Sequence, residues 1–168
     1  MNTTQSGDDL AKRLNRTERD WQSMQRICHD FFHGWRRVVA DHYGEEKARQ
    51  LEVEFYGRIG HGTAAMYLRR GGSTDDLEKL VFTLVRASEV MGETAHLERD
   101  GEDVLLVHTA CPWQDSFRAN GVPDQCQAGC DNWFRTTAAG ISPRIKVVTE
   151  SALPAGDRSC TRRFSRAP

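Results

Sequence analysis

The chain has 168 residues, of which 38% are hydrophobic, and its 23 basic side chains nearly balance 24 acidic ones. This length suits one domain. A net charge close to zero argues against a protein that binds nucleic acid by phosphate attraction. The N-terminus lacks the apolar segment of a signal peptide, and no stretch has the roughly 20 apolar residues of a membrane span. We expect a cytoplasmic protein with reduced thiols and neither nucleic acid nor a membrane as partner.

The N-terminal half has the apolar periodicity of helices. Residues 1–8 are polar and are predicted to be disordered. Over residues 9–42 apolar side chains recur mostly at steps of three and four, which indicates a long helix that Gly34 could bend. A second helix is predicted over residues 45–56 and a short one over residues 63–68, because glycines separate the two stretches.

The strongest helix signal follows a capping motif. Ser73 has an acid, Asp76, three residues later, which is typical of a helix N-terminus. The helix behind it has one apolar face and is predicted to end at Gly92. We divide the single domain, residues 9–168, into a helical part up to Gly92 and a cysteine-bearing part that starts at residue 93.

The C-terminal part changes to a period of two. Over residues 95–108 apolar and polar side chains alternate on both sides of an Asp-Gly turn, which predicts a hairpin. A loop is predicted over 116–123 and a helix over 124–139, and strands are predicted over 144–151 and 159–166. The order of elements predicts an α+β fold, with a helical N-terminal half and an antiparallel sheet crossed by a helix.

Four cysteines fall in the last third of the chain: Cys111, Cys126, Cys130 and Cys160. Cys126 and Cys130 are four residues apart on a predicted helix and therefore share a face. Cys111 follows one predicted strand and Cys160 begins another. We expect these elements to converge at one end of the sheet. The fifth cysteine, Cys28, is predicted to be a small buried residue of the first helix.

Two kinds of chemistry fit the four thiols. Thiolates bind zinc, although the spacing C-x14-C-x3-C-x29-C lacks the paired CxxC motifs of zinc ribbons, and an iron–sulfur cluster would use the same four ligands. Without a metal, Cys111 would be a nucleophile, with His108 or Asp131 as its base or orienting group. The simpler alternative is that all four cysteines are ordinary core residues.

Four further residues are candidates for a substrate pocket. Trp113 and Trp133 flank the cysteines and could cover a planar small molecule, although tryptophans are more often core residues. Asn132 adjoins Trp133, and its simpler role is to satisfy backbone groups. His61 lies between two glycines in a segment that could line a pocket or form a plain turn.

Several motifs carry a family resemblance. They are Cys111-Pro112 after a strand, a cysteine-bearing helix, Val-Val-Thr-Glu at 147–150, and Gly-Asp-x-x-Cys at 156–160 with Phe164 behind it. This pattern, over about residues 75–166, resembles the L-2-amino-thiazoline-4-carboxylic acid hydrolase family and the related 4-vinyl reductase small-molecule-binding domain. The chain departs from the pattern at Arg162, where an aromatic residue usually stands.

The hydrolase resemblance implies opening of a cyclic thiazoline amidine to an N-carbamoyl cysteine. Zinc-bound hydroxide or a cysteine thiolate would attack the ring, and an acid would protonate a leaving nitrogen, as in a hydrolase that acts on C–N bonds. Asp131, His108 and Glu150 are the available proton carriers. Cys111, Cys126, Cys130 and Cys160 are the positions that match the motifs.

The resemblance to the 4-vinyl reductase domain implies different chemistry. It implies a dimerising module with zinc held mainly by cysteines and an aromatic effector in an adjoining pocket. We expect a small cytoplasmic hydrolase for a small heterocyclic substrate, in a cysteine-lined site that could hold zinc, because no output domain accompanies the chain. A non-catalytic binding module and an iron–sulfur protein of a biosynthetic pathway are the alternatives, and a homodimer is the expected assembly.

Overall fold

The computed structural model describes residues 3–167, with side chains described from residue 8 onward. The helical half consists of α1 (Thr3–Tyr43), α2 (Glu45–Arg69) and α3 (Leu77–Val90). The C-terminal half consists of β1 (Thr94–Asp100), β2 (Asp103–Ala110), α4 (Pro112–Ala119), α5 (Gln125–Ile141), β3 (Ile145–Ser151) and β4 (Cys160–Arg166), with a short 3-10 turn at Leu153–Ala155.

The four strands form one antiparallel sheet in the order β1-β2-β4-β3. Helix α3 packs against β1 and β2, while α5 packs against β3 and against α2. The core lies between these helices and the sheet, where Val81, Leu106, Phe134 and Phe164 are almost completely buried. The predicted α+β fold, with its helical N-terminal half and antiparallel sheet, is confirmed.

Helix α1 is longer than its sequence predicts and is not interrupted. It begins at Thr3, so the disorder predicted for residues 1–8 is wrong for residues 3–8, while Met1 and Asn2 lie outside the described residues. The helix continues through Gly34, because one helical glycine costs only about 1 kcal/mol relative to alanine. Although α1 has 41 residues, it is too polar to cross a bilayer, and no other helix within residues 3–167 is both long and apolar enough to do so.

Helix α2 is one helix where two were predicted. The glycines in its middle do not break it, and two of them, Gly57 and Gly60, instead let α5 approach closely. A Cβ atom on Gly60 would lie 2.7 Å from the Trp133 carbonyl oxygen and would collide with Thr136 Oγ1. Thr137 Oγ1 also donates a hydrogen bond of 3.2 Å to the Gly60 carbonyl oxygen. The α2–α5 contact positions the cysteine-bearing face of α5.

Two neighbouring glycines of α2 provide a test of this contact. We expect Gly60→Ala to lower the free energy of unfolding by about 1–3 kcal/mol, because the added methyl overpacks the helix interface. Gly62→Ala is the matched control, since a Cβ atom there meets nothing within 4 Å. That change should raise stability by up to about 1 kcal/mol through helix propensity. Urea unfolding of both variants measures the difference, and equal effects would contradict the packing account.

Two local predictions are wrong. The N-cap of α3 is Asp76, whose Oδ1 accepts a 2.8 Å hydrogen bond from the Lys79 amide, and Ser73 lies outside the helix. The loop predicted over 116–123 is confirmed only for residues 120–123, because residues 116–119 belong to helix α4. Pro112 starts α4, where its missing N–H costs nothing, and Phe117 anchors it in the interior. An eight-residue helix is too short to show a clear period in the sequence.

Candidate functional site

The four cysteines line one cavity at the end of the sheet. The β2–β4 register pairs His108 with Cys160, so these residues are adjacent across two strands. Cys111 follows the end of β2, and α5 adds two cysteines one turn apart. The cavity is lined by Glu93, His108, Cys111, Gln114, Cys126, Gln127, Cys130, Pro154, Cys160 and Arg162. Its volume of about 20 Å³ admits a water molecule but no heterocycle.

A chain of polar contacts runs along one wall of the cavity. The Cys111 thiol lies 3.9 Å from Glu93 Oε1, its hydrogen-bond acceptor. The other carboxylate oxygen, Glu93 Oε2, lies 3.1 Å from His108 Nε2. Ser88 Oγ lies 2.8 Å from the same imidazole nitrogen. Glu93 therefore joins a thiol to an imidazole in a buried setting, an arrangement suited to proton transfer.

A buried guanidinium forms another wall. Arg162 is 2% exposed, and its carbon Cζ lies 4.4 Å from the centre of the Phe134 ring. Arg162 Nη2 lies 3.2 Å from Asp131 Oδ1, which also accepts a 2.7 Å hydrogen bond from Thr149 Oγ1. Among the described residues, Arg162 Nε has no hydrogen-bond partner. One donor of this buried cation is thus available to a ligand.

Asp131 lies behind Arg162, outside the cavity, in a groove between α5 and β3. Its carboxylate orients the guanidinium, so the structure separates it from Cys111 and His108, which do line the cavity. Glu150 is farther away, because its carboxylate accepts a hydrogen bond from Arg163 Nε and alternation along β4 puts Arg163 on the opposite face from Arg162.

The cavity favours protonated thiols. Burial raises the pKa of Cys111 to about 12, with a further contribution from the Glu93 carboxylate. Burial likewise raises the pKa of Cys130 to about 11, even though Arg162 acts in the opposite direction. The pKa of Cys126 is also raised, by burial first and by the neighbouring Cys130 second. Without a bound cation, these sulfurs are neutral hydrogen-bonding groups at neutral pH.

The four cysteines supply the ligand type that zinc prefers. Within residues 3–167 no group of three or more His, Cys, Asp or Glu side chains is placed to hold a metal ion. The Cys160 sulfur already accepts a 3.2 Å hydrogen bond from the Leu153 amide. Zinc or an iron–sulfur cluster at these residues stays a prediction.

Cys28 provides the reference for thiol reactivity, because it is exposed on α1 and not buried as predicted. Cys28 was predicted to be buried, but it lies on a side of α1 that is open to solvent. We expect iodoacetamide at pH 7 to modify Cys28 at least tenfold faster than Cys111 or Cys130, since only thiolates react and burial keeps these thiols protonated. Mass spectrometry of digested protein measures the rates. Labelling of Cys111 as fast as Cys28 would contradict the raised pKa.

The four predicted pocket residues lie elsewhere. The Trp113 ring centre lies 4.1 Å from that of His29 of α1. Asn132 Nδ2 donates a 2.7 Å hydrogen bond to the Val53 carbonyl, and Trp133 Nε1 donates one of 3.2 Å to Thr63 Oγ1, so both fasten α5 to α2. His61 is exposed on α2. None of the four lines the cavity.

Sequence reasoning missed five lining residues of the cavity, among them its two charged residues, Glu93 and Arg162. Arg162 had a usable signal, because alternation along β4 places it on the same face as Cys160 and Phe164. For Glu93 the sequence gives no such signal, because this residue follows the turn at Gly92 and the direction of its side chain depends on how α3 joins β1.

Comparison with known proteins identifies the family. The family model described as L-2-amino-thiazoline-4-carboxylic acid hydrolase matches residues 24–164. The chain belongs to this hydrolase family. The resemblance predicted from the cysteine motifs is therefore confirmed. No curated protein matches the chain.

Two solved structures share the fold of this family member. Trafficking protein particle complex subunit 3 from Naegleria fowleri, solved covalently bound to palmitic acid, has 10% identity and a TM-score of 0.55, covering 88% of this chain and 97% of its own. The phenol-responsive sensory domain of the transcription activator PoxR, solved with phenol, has 14% identity and a TM-score of 0.56, covering 82% of this chain and 74% of its own. At these identities the likeness concerns the fold alone.

Proposed function

We propose that the protein hydrolyses a small thiazoline ring in the cysteine-lined cavity. The observation that carries this proposal is the Cys111–Glu93–His108 contact chain, which faces the same cavity as the buried guanidinium of Arg162. Membership of the hydrolase family supports ring opening as the reaction and 2-amino-thiazoline-4-carboxylate as the substrate.

Water is the proposed nucleophile, because the buried thiols keep their protons at neutral pH. Glu93 takes one proton as the water oxygen bonds to the ring carbon between sulfur and nitrogen. The bond from this carbon to the ring sulfur then breaks, a carbonyl forms, and the two water protons end on the sulfur and the ring nitrogen. The product is an N-carbamoyl cysteine. This product retains the ring nitrogen, so the bond that breaks is a C–S bond. The expectation of a leaving nitrogen and of a hydrolase that acts on C–N bonds is corrected accordingly.

Glu93 and His108 share the proton handling in this proposal. The imidazole lies against one carboxylate oxygen and the Cys111 thiol against the other, so Glu93 is held with a fixed direction. A carboxylate that takes and returns a proton within hydrogen-bond reach typically contributes about 10²–10⁴-fold to a rate. Cys111 is a positioning group here, because its thiol stays protonated and donates a hydrogen bond to the Glu93 carboxylate.

Arg162 is the proposed partner of the substrate carboxylate. Guanidinium groups bind carboxylates with charge-assisted hydrogen bonds, which are strong when water is excluded. Asp131 holds one end of Arg162 and leaves Nε for the substrate. The cavity holds only about 20 Å³, so substrate binding requires its partly exposed rim, which includes Gln127 and Pro154, to move outward.

Turnover by the purified full chain tests the proposal. The protein is incubated with L-2-amino-thiazoline-4-carboxylate, and the product thiol is followed with a chromogenic disulfide reagent and identified by mass. We expect thiol release proportional to enzyme concentration. A rate equal to that of heat-denatured protein, in a sample with native circular dichroism, would contradict the proposed function.

A binding module without turnover is the second candidate. The fold likeness to the PoxR sensory domain, which was solved with phenol, favours it. Phenol that raises the thermal midpoint of a preparation inactive on the thiazoline would support this alternative. Metal analysis and a visible spectrum of anaerobically purified protein test the remaining cofactor hypotheses. One zinc per chain would support the cysteine–zinc hypothesis, and bands of an iron–sulfur cluster would exclude zinc.

A further inference from the structure

A groove adjoins the cavity on the side of α5 and β3. Its volume is about 390 Å³. It is lined by Val53, Gln127, Ala128, Asp131, Arg135, Val147 and Thr149. Protein pockets that bind small molecules measure about 300–1,000 Å³. This α5–β3 groove can therefore hold a small ring with its substituents, which the cavity of about 20 Å³ cannot.

Two rows of side chains on α5 face the two spaces. Cys126 and Cys130 are four residues apart and line the cavity. Gln127, Asp131 and Arg135, also at steps of four, form the neighbouring row and line the groove. Gln127, at the start of this row, lines both spaces. The groove and the cavity thus meet at the Gln127 side chain.

Gln127 is the part of the cavity rim that is free to rotate. It is half-buried, and within residues 3–167 no hydrogen bond holds its side chain. The other exposed part of the rim, at Pro154, belongs to a turn fastened by hydrogen bonds. The Leu153 amide donates a 3.2 Å hydrogen bond to the Cys160 sulfur, and the Leu153 carbonyl accepts one of 3.0 Å from the Gly156 amide. Because rotation of one glutamine breaks none of these bonds, the cavity opens more easily toward the groove.

The charges of the groove suit a small carboxylate. Arg135 is exposed at the groove, where its guanidinium attracts anions. Among the described lining residues Asp131 is the acid, and its Oδ1 already contacts Arg162 Nη2 and the Thr149 hydroxyl. Arg162 belongs to the cavity wall, and its Nε has no partner within residues 3–167. A carboxylate that passes from the groove to the cavity therefore exchanges one cation for another.

We propose that a small heterocyclic carboxylate binds first in the α5–β3 groove and enters the cavity past Gln127. This inference rests on the proposed function, because the thiazoline carboxylate is the molecule that requires the route. The groove holds the whole molecule beside Arg135, Gln127 rotates aside, and the carboxylate then reaches Arg162 Nε. The small volume of the cavity is, in this account, a property of its closed state.

Filling the groove with a larger side chain tests the route. Ala128 is exposed and lines the groove but not the cavity, so the fold has room for an indole there. We expect Ala128→Trp to lower kcat/KM for 2-amino-thiazoline-4-carboxylate by about tenfold or more, with unchanged helical circular dichroism. Ala139→Trp is the matched control, because Ala139 is exposed on the same helix outside the groove. The control should keep the wild-type kcat/KM within about twofold. More than half of the wild-type kcat/KM in Ala128→Trp would overturn the proposal.

Alkylation of a cavity thiol tests the same route without hydrolysis. Iodoacetamide has to enter the cavity to reach Cys130, whereas Cys28 is exposed on α1 and is the internal reference. Near pH 9, Ala128→Trp should slow modification of Cys130 by about fivefold or more, and Ala139→Trp should leave both rates unchanged. Slowed labelling in a protein without turnover would support the route and refute only the proposed function. An unchanged Cys130 rate in Ala128→Trp, or equal slowing in both variants, would overturn the route.

Discussion

Glu93→Gln is expected to lower kcat for thiazoline ring opening by about 10²–10⁴-fold. The amide keeps the size of the side chain and can still hydrogen-bond to His108 and Cys111, but it cannot take a proton from water. Because the contacts of the cavity wall persist, the thermal midpoint should change by only a few degrees. Thiol release under substrate saturation measures the loss.

The matched control for this change is Glu89→Gln. Glu89 is a partly exposed residue of α3 paired with Arg86, four residues from Glu93 and outside the cavity. The activity of Glu89→Gln should equal that of the wild type. If Glu93→Gln keeps more than half of the wild-type kcat, Glu93 is not the base and water activation must be assigned to another residue.

Arg162→Gln is expected to raise KM for the carboxylate substrate by about 10–100-fold, with a smaller effect on kcat. A hydrogen bond to a charged group is worth about 1.5–3 kcal/mol, and each 1.4 kcal/mol is a factor of ten. Arg163→Gln is the neighbouring control, because Arg163 pairs with Glu150, Asp100 and Asp103 on the other face of the sheet. That variant should keep the wild-type KM.

A substrate without a carboxylate separates binding from folding. For 2-aminothiazoline itself, wild type and Arg162→Gln should have similar KM values, since there is no anion to bind. Arg162→Lys keeps the charge but loses the planar fork, so it serves as the second variant if Arg162→Gln unfolds. Equal KM values of Arg162→Lys and wild type for the carboxylate substrate would contradict the recognition role.

The sequence predicts the fold well because its signals are periodic. Apolar spacing identifies α3 and α5, and alternation identifies the four strands, whose ends bring Cys111 and Cys160 to one cavity. The glycines at 57 and 60 were interpreted as breaks because the reason for them, the close approach of Asn132 and Thr136 on α5, is a tertiary contact. Local signals cannot distinguish a packing glycine from a terminating one.

The candidate site was predictable in part. The convergence of the cysteines followed from helix spacing and strand ends. Residues chosen because they adjoin a cysteine in sequence, however, do not line the cavity. Trp113 adjoins Cys111 closely but faces His29, since consecutive residues of a helix point in different directions. Glu93 is distant in sequence from the cysteines and reaches Cys111 only through the α3–β1 connection.

The most direct test of the cavity as the hydrolytic site is the turnover of Cys111→Ala, measured beside Cys28→Ala. Loss of the Cys111 thiol removes the hydrogen bond to Glu93 and the surface against which the substrate binds. We predict that Cys111→Ala stays folded and loses about 10–100-fold in kcat/KM, while Cys28→Ala, altered on the exposed side of α1, keeps full activity. Equal and undiminished turnover by both variants would contradict the assignment of the cavity.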